Sequence, residues 1–301
     1  MPKLAVVACH FNPCQYRRPV ENLKRFLHVI DRPVHIVELV LDDDVSVNDN
    51  DVISRGLHAW TTLRGTRAEN WMWQKEALLN VGFAKALRDP EVTAVAWVDA
   101  DVIFVNPRWE ADTLRELERY DVVQMFSDAS LTDSDERITT PVKSTGWHWS
   151  TYAKMWCDFA QSHPGMAWAM RASHLRRGFR LYDRAVTGNG DTLMLRAFTG
   201  VDPFRTSEVG STVQNDVRRW ANGELLSFGF VMGSIVHMHH GSLQDRDTRG
   251  RRLMLPGFSP REHVENDEQG LLKWSLTAPE AFRRKVQEYF QKRREDGVQL
   301  S

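Results

Sequence analysis

An α/β fold with a mixed, mostly parallel central sheet is what the sequence predicts, from three features. Apolar runs alternate with amphipathic segments from Leu4 to Val98. The runs are short and rich in Val and Ile, as buried strands are. The last of them stops at two carboxylates, Asp99 and Asp101. In open α/β sheets the carboxyl ends of the strands are where ligands bind.

The elements follow in order. Leu4 to Cys9 is an apolar run that halts at His10-Phe11-Asn12-Pro13, a strand entering a loop. Val20 to Ile30 sets Leu23, Phe26, Leu27 and Ile30 on one helical face, and Val34 to Leu41 reads as a second strand. The Asp-rich stretch from Asp42 to Asp51 reads as a solvated turn. Asn70 to Leu87 carries the clearest helical rhythm, through Trp73, Ala77, Leu78, Val81, Ala84 and Leu87, and Asp89-Pro90 ends it. Val92 to Val98 is then a central strand, Trp109 to Tyr120 a helix and Asp121 to Phe126 a further strand. Ser127 to Ser150 is polar and irregular and reads as a flexible region. Phe282, Val286, Tyr289 and Phe290 mark a C-terminal helix leading into a solvated basic tail. Without repeats or a Pro/Gly-rich linker, one domain over 1–301 is expected.

Composition narrows the class. The 301 residues are 42% hydrophobic and 26% charged, which excludes a disordered or collagenous chain. The net charge of -1 gives no global pull toward nucleic acid or anionic membrane, although arginines cluster at 171–184 and 246–252. Cys9, Cys14 and Cys157 form neither a disulfide framework nor a zinc pattern. The N-terminus has no signal-peptide core and no run spans a bilayer, so a cytoplasmic protein is expected. Eleven Trp remain to be divided between core and ligand.

Three groups of residues could carry chemistry. Asp99-Ala100-Asp101 at a strand end suits an oxygen-ligated Mn²⁺ or Mg²⁺ that bridges to a diphosphate, and equally a turn in which two Asp cap backbone N–H groups. His237, His239 and His240 lie within four residues, and a neutral imidazole with its second nitrogen oriented is a good metal ligand. Asp191 follows Gly188-Asn189-Gly190 and opens a helical stretch, where it can cap the helix or act as a general base.

The stretch Trp73-Gln74-Lys75-Glu76-Ala77-Leu78-Leu79-Asn80-Val81-Gly82-Phe83, followed by the strand to Asp99-Ala100-Asp101, resembles the central segment of the β-1,4-galactosyltransferases. That family has a helix carrying Leu-Leu-Asn-Val-Gly-Phe and then a strand ending in Asp-Val-Asp. Pro164 to Arg171 is similar to its donor-sugar strand, Gly188 to Asp191 to its Gly-Glu-Asp-Asp motif, and His237 to Gly241 to its metal-histidine segment. Tyr16-Arg17-Arg18 with Asn22 to Leu27 is a weaker likeness to its nucleotide loop. The echoes run from about residue 5 to 250.

The resemblance implies a GT-A type nucleotide-binding sandwich: residues 1–126 hold the nucleotide sugar, 127–260 the acceptor and the rest of the metal site, and 261–301 form a helical extension. It implies a metal-dependent, inverting hexosyltransferase using a nucleotide sugar such as a UDP-sugar with Mn²⁺ or Mg²⁺. Asn12, Arg18, Trp73, Lys75, Asp99, Asp101 and Trp168 would meet the nucleotide sugar. Asp99, Asp101, His237 and His240 would serve the metal, and Asp191 would be the base. Trp147, Trp149, Arg246 and Arg249 would face the acceptor or a phosphate. The acceptor would be a glycan, or DNA carrying hydroxymethylated bases. Two departures stand out. The acidic motif keeps a single carboxylate, and counting back from Arg196 sets Gly190 where the base is expected. Lys75 replaces an Arg. Competing readings are a nucleotide-sugar hydrolase or pyrophosphatase and a non-catalytic sugar-binding module.

Overall fold

The computed structural model describes residues 2–50, 57–152, 162–199, 209–221, 226–242, 244–247 and 250–297. Arg249 and Cys157 lie outside them. The chain opens with β1 (Lys3–Phe11), α1 (Arg17–Val29), β2 (Val34–Leu41), β3 (Ala59–Gly65), α2 (Arg67–Asn70), α3 (Lys75–Ala86) and β4 (Val92–Val98). It continues through β5 (Val102–Phe104), α4 (Trp109–Glu116), β6 (Val122–Gln124), β7 (Asp128–Thr132), β8 (Ile138–Ser144), α5 (Thr145–Thr151), β9 (Ser162–His163), β10 (Ala167–Arg171) and α6 (Ala172–Arg176). The last described elements are α7 (Gly190–Thr199), α8 (Ser211–Ala221), β11 (Phe228–Phe230), β12 (Ser234–His237), α9 (Gly250–Leu253), α10 (Pro260–His263), β13 (Val264–Asn266), β14 (Leu272–Trp274) and α11 (Glu280–Lys292).

Seven strands form the main sheet in the order β11-β6-β10-β4-β1-β2-β3. From β4 to β3 the strands run parallel, and β10 is antiparallel to both β4 and β6. The period of two sorts the core onto the two faces. Val7, Val95 and Trp97 pack with α3 and α7, while Val6, Ala8, Ala94, Ala96 and Val98 pack with α1 and α4. A second sheet, β5-β12-β7-β8-β9, stands beside the first. This is an α/β fold with mixed, largely parallel sheets flanked by helices.

Three local expectations are corrected. The helix expected over 70–87 is broken, and α3 starts only at Lys75. The cause is Gln74, which is fully buried. Its amide donates to Asn70 O and Leu272 O and accepts from Leu272 N, which stitches the break to β14. The region 127–150 is regular: β7 pairs with β12 and β8, and Ser144 caps α5 by accepting from Trp147 N. Its polarity reflects strands with one half-exposed face. The basic tail after α11 is not solvated at its start, because Arg293 is buried. Just beyond, Asp296 accepts from Arg17 N and Arg18 N and so caps α1.

Candidate active site

The two sheets bring the distant motifs together. β4 ends at Val98 and the chain turns tightly, with Val102 N donating to Asp99 O. β5 then pairs antiparallel with β12, setting Val102 opposite His237. Met238 N donates to Asp101 O and fixes the two motifs against each other.

Asp101, His237 and His240 form one cluster whose ligand atoms all lie within 4.8 Å of one another. The Asp101 carboxylate stands 3.6 Å from His237 Nε2 and 3.2 Å from His240 Nε2. Asp101 Oδ1 is buried without a hydrogen-bond partner. Burial pushes the Asp101 carboxyl up to about 6, against the pull of His240 and with a further push from Asp99. Burial, reinforced by Arg246, holds His237 down to about 3, and the same two causes lower His240. Both imidazoles are therefore neutral, each with one nitrogen lone pair; that of His240 Nε2 accepts from Arg246, which a cation beside Asp101 would displace. One carboxylate and two neutral imidazoles are a donor set suited to a divalent cation.

His240 is held at both ring nitrogens. Arg246 Nη1 donates to His240 Nε2 at 2.7 Å, so the ring proton sits on Nδ1, which faces Glu295 Oε1 at 3.8 Å. Arg293 grips Glu295 through Nε and Nη2, at 2.6 and 2.5 Å. Burial opposes ionisation of Glu295, yet Arg293 and His240 together hold its carboxyl down to about 2. A carboxylate behind a ligand histidine fixes tautomer and ring angle.

Beside this cluster lies a basic wall. Arg251 and Arg293 sit 5.8 and 5.3 Å from the Trp73 ring, and both donate to Tyr289 Oη. Arg251 also donates to Asn189 Oδ1 at 3.0 Å. The Nε atoms of Arg246 and Arg251 and the Nδ2 of Asn189 are buried with no acceptor. Burial and the neighbouring Arg293 lower the Arg246 pKa, the mark of a crowded cation. Buried donors without partners cost free energy unless an acceptor fills the site, and an anion would satisfy several at once.

Adjoining the wall is an acidic group, and Arg251 acts on its Asp191. Lys75 Nζ stands 2.6 Å from Asp99 Oδ1 and 3.3 Å from Asp191 Oδ2. Burial works against the Lys75 charge, but Asp191, Asp99 and Glu76 raise its pKa well above the ordinary value. Burial raises Asp191, with Lys75 opposing. Gly165 brings the β10 chain against Asp191: a Cβ there would lie 2.9 Å from Oδ2.

The expected site residues divide as follows. Asp101, His237, His240 and Arg246 come together, as do Lys75, Asp99 and Asp191, and Trp73 lines the basic wall. Asp99 thus lies on Lys75 and outside the metal-donor cluster. Trp168 is only 3% exposed; it stacks on Trp97 and Phe228 and donates to Pro164 O, which is a core position. Asn12 spends both ends of its amide on Tyr16. Arg18 Nε is buried without a partner. Trp147 carries Lys143 over its ring at 4.7 Å, and Trp149 packs against the core. Sequence reasoning missed Glu76, Glu295, Arg293 and His163. His163 Nδ1 accepts from Gly165 N, which leaves its Nε2 as the N–H donor beside His237.

No protein-family model and no curated protein matches the sequence. Solved structures share the fold only distantly. A candidate nucleotide-diphospho-sugar transferase from Desulfovibrio desulfuricans G20 is 10% identical, with 99% of this chain and 100% of that one covered and a TM-score of 0.34. S. aureus TarS 1-349 is 11% identical, with 97% and 71% covered and a TM-score of 0.42. 4-Diphosphocytidyl-2C-methyl-D-erythritol synthase from Anaerococcus prevotii DSM 20548 is 9% identical, with 96% and 99% covered and a TM-score of 0.37. At such scores the likeness assigns no residue and no activity. Among the described residues no helix is long and apolar enough to cross a membrane.

Proposed function

We propose that the chain is a metal-dependent glycosyltransferase of the GT-A type, moving a hexosyl group from a nucleotide sugar to an acceptor hydroxyl with inversion. One juxtaposition carries this reading. An Asp101/His237/His240 donor set shares one site with unsatisfied Arg246 and Arg251 donors and with the Lys75–Asp191 pair, on which Arg251 also acts. A divalent cation such as Mn²⁺ or Mg²⁺, held by Asp101, His237 and His240, would offset the charge gathering on the departing diphosphate.

The chain's own residues do the rest. Arg246 and Arg251 supply donors for the diphosphate oxygens, as preorganised electrostatic stabilisers do. Trp73 gives Arg251 and Arg293 a flat apolar backing. Asp191, kept close to Lys75, takes the proton of the acceptor hydroxyl. The hydroxyl oxygen bonds to the anomeric carbon, and the bond from that carbon to the diphosphate breaks with its electron pair on the leaving oxygen. The carbon passes through an oxocarbenium-like state, as in glycoside hydrolysis.

A glycan acceptor is favoured over DNA with hydroxymethylated bases, because Arg246 and Arg251 turn to His240, Asn189 and Tyr289. They leave no outward row of phosphate contacts from these two positions. The test is a panel of nucleotide sugars, UDP-sugars first, read by thermal shift with and without Mn²⁺, then by product mass on glycan and DNA acceptors. Metal-dependent stabilisation by one donor with acceptor-dependent consumption is expected. Consumption that ignores every acceptor would establish a hydrolase instead.

A further inference from the structure

Three carboxyl groups, Glu76, Asp99 and Asp191, act on one ammonium, Lys75. Lys75 contacts Asp99 and Asp191 but not Glu76. Glu76 is 1% exposed, and its Oε2 is buried with no hydrogen-bond partner. A Cβ built on Gly190 would overlap the Glu76 carboxyl, so the first residue of α7 is a glycine lying directly against it. Asp191 is the next residue, and its Oδ1 is likewise buried without a partner.

We propose that Glu76 and Asp191 work as one proton-holding pair on the acceptor side of the site, with Glu76 keeping the resting proton so that Asp191 stays ionised to receive the acceptor's. This rests on the reading of Asp191 as proton acceptor and names the second carboxyl that serves it. The assignment within the pair follows from contact. A buried carboxyl with no cation in contact keeps its proton, and Glu76 is that group: Lys75 touches Asp99 and Asp191, and Arg251 adds to the field on Asp191. The charges acting on Glu76 are Lys75 on its own helix, Asp191 in α7 and Asp99 at the end of β4, and it lies within the field of the Cys9 thiol in β1. Burial, relieved by Lys75 and reinforced by Asp191, pushes the Glu76 carboxyl up to about 8. During transfer the acceptor proton moves to Asp191. The pair then holds two protons, and one leaves to solvent when products do.

The test labels the glutamate carboxyl carbons of the full chain with carbon-13 and titrates them by NMR, with Glu76→Gln assigning the signal. If that variant misfolds, Glu76→Asp removes the same signal. Glu76 should be protonated at pH 7, with its midpoint near pH 8. In Asp191→Asn the midpoint should fall by about one pH unit or more, the scale of truly coupled sites. An ionised Glu76 at pH 7, or a midpoint unmoved by Asp191→Asn, overturns the pair. The same variants are assayed for transfer. Transfer lost in Asp191→Asn with the midpoint unmoved leaves Asp191 as the base and removes Glu76 from its service. Transfer retained in Asp191→Asn removes Asp191 as the base, and the catalytic pair with it, even if the midpoint shifts.

Discussion

Asp99 and Asp101 are separated by one residue, yet they belong to flanks built on opposite principles. Asp99 lies against the Lys75 ammonium on an acidic side, where that ammonium serves several carboxyls. Asp101 faces two neutral imidazoles, with guanidinium groups behind them. The acidic flank is short of positive charge and so can hold protons. The basic flank is short of acceptors and so can hold an anion and a cation between them. A D-x-D tripeptide is therefore not one unit here: one carboxylate balances charge and the other is free to ligate.

The largest effect should come from splitting the tripeptide. Asp101→Ala should abolish the Mn²⁺-dependent thermal shift and lower transfer by roughly a thousandfold or more, since metal charge stabilisation is worth several kcal/mol. Asp99→Asn should keep the metal-dependent shift. Equal loss of metal response in both variants would erase the distinction between the flanks.

Asp191→Asn tests the acidic flank by itself. A general base contributes about 10²–10⁴-fold, so transfer should fall by that much while the stabilisation by metal and donor persists. Loss of donor stabilisation instead would place Asp191 among the binding residues.

What could be read from the sequence was local. The strand ending at Val98, the two carboxylates after it and the histidine run each lie within a few residues, so pattern alone exposes them. The fold class came from the strand and helix runs up to Val98, where hydrophobic periodicity is strong. What was hidden depends on partners far along the chain. Gln74 breaks the helix because Leu272 holds its amide, 198 residues away. Glu295 and Asp296 are the acids in a basic tail, the one signal that this tail is more than a solvated end; they reach His240 and the start of α1. Glu76 lies in the middle of a helical run, where a charged residue reads as surface. Only the overlap with Gly190 reveals it. Trp168 is assigned to the nucleotide sugar through the resemblance of Pro164 to Arg171 to a donor-sugar strand, although it shares a strand face with the core residue Met170.

Glu295→Gln probes the support of the basic flank. Removing the carboxylate behind a ligand histidine typically costs 10–100-fold in metal affinity. That weakening is expected here, with Asp101 and His237 still in place. Isothermal titration with Mn²⁺ reads it directly, and unchanged affinity would mean that the Glu295 carboxylate does not set the orientation of His240.

The last effect is on stability, and it carries a sign. Glu76 has an ordinary value of 4.5 and stands at about 8 when folded. Below about 4.5 both folded and unfolded chains hold the proton. Between there and about 8 only the folded chain holds it, so the unfolded state binds fewer protons and stability falls as pH rises. Glu76→Gln cannot ionise, and the buried amide carries no such slope. The stability of Glu76→Gln relative to the unaltered chain should therefore climb from pH 5 to pH 8 and level off above. The total climb is on the order of a few kcal/mol, because a tenfold change in proton affinity corresponds to about 1.36 kcal/mol. Urea unfolding at a series of pH values measures it. A flat difference would mean that Glu76 is ionised throughout, and then the acidic flank would have to find another place for its proton.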